Sequence, residues 1–176
     1  TVTLASSDLE LSSETGTSVI TQAVGIRFDT LALPQQSAIT HAYIEFTVDE
    51  VSTAVANLQI TGEATGNAAA FVASTGNITA RPATAATVGW PNVTPWPVVD
   101  AKMRTPDLAP IVQEIVNRAD WAEGNALVFL ITGTGRRTAV AFDGTPAAAP
   151  LLHIEYEDPI ITAPAHTLYL PLINGK

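Results

Sequence analysis

Apolar and polar side chains alternate along this sequence in short runs rich in Val, Ile, Thr and Phe, and that alternation restricts its fold more than any other feature. A period of two sends successive side chains to opposite faces of an extended strand, whereas an amphipathic helix needs a period near 3.6. The pattern predicts strands over Val24–Asp29, Ile39–Val48, Leu58–Ala64, Ala126–Thr132, Thr138–Phe142 and Leu151–Glu157, bounded by Gly, Pro, Asn or Asp. Weaker runs at Val2–Leu4, Ser18–Thr21, Ala70–Val72, Thr87–Trp90 and Val98–Asp100 bring the total to roughly eight to eleven strands, as in a sandwich or barrel. Within Ile39–Val48 the alternation lapses, which predicts a bulge or burial on both faces.

One stretch departs from this period. Thr105 reads as an N-cap, Pro106 suits a first turn, and Asp107 suits the positive end of a helix dipole. Leu108, Ile111, Val112, Ile115 and Val116 then follow at helical spacing as far as Asn117–Arg118, which predicts a short helix laying an apolar stripe over one open end of the sandwich. The expected architecture is all-β: a jelly-roll-like β-sandwich over 1–158 with one short α-helix, then a separate tail over 159–176. In that tail a Pro- and Ala-bearing linker precedes an additional C-terminal strand, Thr167–Ile173, with Leu168, Leu170 and Leu172 on one face. Gly133-Thr134-Gly135-Arg136-Arg137 reads as a hairpin turn with solvated charges.

At 176 residues, 47% hydrophobic and 14% charged, the chain has enough apolar side chain for a sizeable core. No run approaches the roughly 18–20 uninterrupted apolar residues of a spanning helix, so no membrane span is expected. A formal charge of −9 with scattered basic residues repels a phosphate backbone, which argues against nucleic acid as a partner. The absence of cysteine removes disulfides and thiolate chemistry. A start at Thr1 without initiator Met reads as the end left by signal-peptide removal, which predicts an extracellular or cell-surface protein.

No constellation reads as catalytic. His41, His153 and His166 show no metal-ligand spacing, and neither Ser6-Ser7-Asp8 nor Gly133-Thr134-Gly135 stands in a nucleophile-elbow context, so no enzyme is expected. Asp8, Glu10, Asp49, Glu50 and Asp143 are candidate oxygen ligands for a structural calcium ion, against the plainer reading of a solvated acidic face. Trp90 and Trp96, in one Pro-rich loop, are the candidate stacking platform for a polysaccharide, against the plainer reading that they pack over the body.

Val24-Gly25-Ile26-Arg27-Phe28, the run Ile39 to Glu50, the helical stretch Thr105 to Arg118 and Ala126-Leu127-Val128-Phe129 through Gly133 together resemble the DNRLRE-type β-sandwich domains of exported bacterial proteins. The resemblance covers about residues 1–157. It implies a fold related to carbohydrate-binding jelly rolls and, for some members, polysaccharide binding. The Tyr-Leu-Pro-Leu-Ile tail lies outside it and is similar to terminal motifs of other exported bacterial proteins.

The tail carries the functional expectation. Burying its leucines contributes roughly 5–9 kcal/mol, while fixing Thr167, Leu168, Tyr169, Leu170, Pro171, Leu172 and Ile173 costs about 7–14 kcal/mol, so ladder hydrogen bonds at a sheet edge must supply the rest. The linker reaches roughly 26–29 Å when extended, which allows that edge to belong to another copy or to the chain's own sandwich, the latter giving a monomer with one extra strand. The sequence therefore predicts a self-assembling structural protein, a head-to-tail homopolymer forming a filament or surface layer by strand exchange. The alternative is a secreted carbohydrate-binding module with calcium.

Overall fold

The computed structural model describes residues 2–14, 20–158 and 166–171. In chain order the strands are β1 (Asp8–Leu11), β2 (Ser13–Glu14), β3 (Ile20–Thr21), β4 (Val24–Phe28), β5 (Ala38–Glu50), β6 (Asn57–Glu63), β7 (Ala83–Trp90) and β8 (Lys102–Arg104). The helix α1 (Ala109–Val116) follows, then β9 (Leu127–Thr134), β10 (Arg137–Val140), β11 (Leu151–Glu157) and β12 (His166–Pro171), with one 3-10 turn at Pro146–Ala148. The protein is an all-β sandwich. One sheet runs β1-β10-β5-β11-β12 with β8 also on β5, the other runs β4-β9-β6-β7, and all their pairings are antiparallel.

Residues that alternate inward from both sheets make the main core, among them Ile26 and Phe28 of β4, Ile44, Phe46 and Val48 of β5, Phe129 of β9 and Ile154 of β11. The lapse of alternation in β5 is burial on both faces, for Ala42, Tyr43 and Ile44 are all buried, as are Phe46, Thr47 and Val48. It is also a bulge: Glu155 faces His41 and Tyr156 faces Ile39, so Thr40 is the extra residue. On the second sheet, Val128 and Leu130 point away from the main core and are covered by Ala68, Phe71 and Ile78 of a long loop.

The helix begins later than the cap signals predict. Thr105 does not cap it: its N–H donates to the Ile44 carbonyl, its Oγ1 accepts from the Ile44 N–H at 3.1 Å, and Leu108 N–H donates to the Ala42 carbonyl. Residues 105–108 are therefore spent on the flank of β5, and α1 starts only at Ala109, with Pro110 in its first turn. The stripe of Ile111, Val112, Ile115 and Val116 is wholly buried, as expected. Gly62 of β6 lets it approach, since a Cβ there would lie 2.7 Å from both the Ile111 and Ile115 side chains.

Two other expectations change. Val2–Leu4, Ala70–Val72 and Val98–Asp100 are not strands, while Ser18 and Val19 lie outside the described residues. Gly133–Arg137 is not a hairpin, because β9 and β10 belong to different sheets. Positive φ at Gly133 and Gly135 bends the chain from one sheet to the other, against the backbone of 55–58, where any Cβ would collide. Arg137 is consequently not solvated but wholly buried.

Candidate functional site

The C-terminal strand predicted from the leucine alternation is present as β12, although Leu172 and Ile173 lie outside the described residues. It lies antiparallel on β11 of its own chain, from Leu151 opposite Pro171 to Tyr156 opposite His166. Among the described residues β11 is its only strand neighbour, so β12 forms the sheet edge. Leu168 and Leu170 stand opposite Ile154 and Leu152, both wholly buried, and Leu170 packs against the main core.

Thr167 and Tyr169 alternate to the outer face. There a row of side chains crosses the sheet. Arg104 of β8 sits 4.5 Å over the ring of Tyr43 on β5, Tyr43 stacks on His153 of β11 at 4.5 Å, and His153 meets the ring of Tyr169 edge-on at 4.6 Å. Arg104 is held from behind, donating to Glu45 at 2.9 Å. His153 Nε2–H donates to Glu155 at 2.8 Å, while its Nδ1 is buried without a partner. His153 is only 4% exposed despite its outward position, because the rings of Tyr43 and Tyr169 flank it. Burial raises the pKa of Tyr43, partly countered by Arg104. In the sequence His153 and Tyr169 are visible singly, but this row is not. Its available signal was the alternation that turns His153 and Tyr169 to the same face as Tyr43, but only the register shows that they meet.

The structure gathers three of the five candidate calcium ligands. Oxygens of Asp8, Asp49 and Glu50 lie within 4.8 Å of one another, and Glu10 and Asp143 are not in this group. Burial, then the charges of Asp8, Glu50 and Asp100, raise the pKa of Asp49. Asp8 already accepts from the Ser6 hydroxyl at 2.8 Å, and Glu50 is paired with Arg136. The all-oxygen donor set suits a hard cation: the three carboxylates carry six oxygens, with Asp8 partly engaged by Ser6 and Glu50 by Arg136, and calcium takes six to eight, backbone carbonyls and waters included. The three form a partly compensated acidic cluster.

The tryptophan platform is overturned. Trp96 is wholly buried on Phe46, with ring centroids 6.1 Å apart, and Trp90 is 9% exposed in the main core. The Pro-rich loop folds inward because Ser52 and Trp96 exchange backbone hydrogen bonds at 2.9 and 2.8 Å, which draws the indole under the sandwich end. Neither ring presents a face to a sugar.

The fold and site define an all-β sandwich with an edge-docked C-terminal strand. No family model, curated protein or solved structure matches the chain. No helix among the described residues is long and apolar enough to cross a membrane.

Proposed function

We propose that this protein is an extracellular structural subunit, and that its C-terminal strand is exchanged between copies to build a filament or surface layer. The observation that carries the reading is the position of β12: among the described residues it is an edge strand whose one strand partner is β11 of its own chain, joined to it through residues 159–165. Every contact β12 makes with β11 would be reproduced if the strand came from a neighbour. The balance between closed and exchanged forms then rests on the linker and on concentration rather than on new contacts. A strand passed in one direction from copy to copy gives a head-to-tail chain of subunits. The resemblance to exported bacterial sandwich domains supports the extracellular setting, and the reading assigns the protein no catalysis.

Light scattering and negative-stain microscopy over a concentration series test this. The full chain is expected to form assemblies that grow with concentration, and a chain lacking 159–176 is expected to remain monomeric. A truncated chain that still polymerises, or a full chain that stays monomeric throughout, rejects the proposal.

A further inference from the structure

We infer that the edge of β11 is a recognition surface for a Leu-Tyr-Leu strand, and that the partner it fits is residues 166–171 of a second copy of this chain. This rests on the strand-exchange reading and adds to it the determinant of register. The surface has two different sides. On the core side Leu152 and Ile154 face Leu170 and Leu168. On the outer side His153, backed by the stacked ring of Tyr43, faces Tyr169.

Only one register satisfies both. A slip by one residue would turn Tyr169 into the core and a leucine onto His153, because strand side chains alternate with a period of two. A slip by two would bring Thr167 or Pro171 opposite His153. Thr167 has no ring to cover the imidazole, and Pro171 has no N–H to give to the ladder. The fit thus depends on an aromatic residue flanked on both sides by aliphatic ones, and Leu168-Tyr169-Leu170 supplies it.

The absence of native cysteine gives a direct test. Glu155 and Thr167 are register partners on the outer face, close enough for engineered cysteines to bridge. Full-length Glu155→Cys and Thr167→Cys chains, mixed and oxidised, are expected to give covalent heterodimer in excess over the homodimers of each chain, an excess that reports one chain's strand lying on the other's β11. Adding Tyr169→Ala to the Thr167→Cys chain should lower the yield about two- to fivefold, the factor a cross-strand aromatic pair carries, while Tyr169→Phe should preserve it. Cross-linking indifferent to Tyr169→Ala overturns the recognition and leaves strand exchange standing. If the mixed chains give no excess of heterodimer while a chain with both cysteines closes internally, strand exchange fails and this inference with it.

Discussion

The imidazole of His153 lies against the phenol ring of Tyr43 with centroids 4.5 Å apart and planes 16° from parallel. The pair joins the centre of the sheet to its last internal strand, and Tyr169 extends it to the edge. Burial keeps the Tyr43 hydroxyl protonated above its ordinary value of 10.0. Between that value and the raised one, the folded state holds a proton that the unfolded chain releases, so stability falls as pH rises. Thermal midpoints are expected to drop between about pH 9 and 11, where the unfolded phenol titrates. Tyr43→Phe should flatten the drop. Burial also raises Tyr156, so adding Tyr156→Phe should flatten it further. Identical alkaline profiles for wild type and double variant would contradict this account.

Asp49 has the same sign in the acid range. Its raised pKa means that the folded state binds a proton more readily than the unfolded one, so the cost of ionising it is fully present above the folded pKa. That cost is relieved as pH falls through the folded value. Asp49→Asn is accordingly expected to unfold at a higher temperature than wild type at pH 7 in chelator, and the difference should vanish in acid. A lower midpoint at pH 7 would show that the carboxylate is needed there.

Arg137 is a buried cation satisfied by dipoles. Its guanidinium donates to the carbonyls of Val93 at 2.5 Å, Arg136 at 2.6 Å, Ala54 at 2.9 Å and Thr94 at 3.2 Å, and to the Ser52 hydroxyl at 3.2 Å. Burial lowers its pKa. Arg137→Met orphans those acceptors at about 1–3 kcal/mol each, less what entering water restores, so denaturant unfolding should show a net loss of roughly 3–5 kcal/mol. Arg137→Lys should recover only part, because an ammonium cannot spread five donors in a planar fork.

Two glycines in the second sheet should respond in opposite ways. Gly62→Ala drives a methyl into Ile111 and Ile115 and should cost about 1–3 kcal/mol in the same measurement. A Cβ at Gly89 of β7 meets nothing within 4 Å, and Gly89→Ala should be neutral or stabilising by about 0.5–1 kcal/mol.

Of the six clearest strands, β4 was legible because a half-buried strand states its faces in its own sequence, whereas β9 and β10, buried on both faces, were legible as short apolar and β-branched runs between turn residues. The short β8 was not, since three residues are too few to show a period. Local signals failed where a long-range partner claimed them. Thr105 suits a helix start, yet its hydroxyl is taken by the Ile44 N–H, whereas the Asp107 carboxylate serves both partners, accepting from the Ala42 N–H and, as expected of an acid at the helix start, from the Ala109 N–H at 3.0 Å. The glycines before Arg137 signal a turn truthfully, but not which sheet the chain enters next. The same gap governs the site: Asp8, Asp49 and Glu50 were nameable as acids, whereas the row from Arg104 to Tyr169 draws on four strands and exists only through their pairing.

The clasp formed by Arg137 also orders events during synthesis. The acceptors at Ala54, Val93 and Thr94 leave the ribosome well before residue 137, so until then the two segments have main-chain bonds such as those between Ser52 and Trp96 and from the Val93 N–H to Ala56, but lack the guanidinium that joins them. Nascent chains stalled before that codon should therefore leave the 52–56 and 92–97 segments open to protease, and those released beyond the sandwich should not.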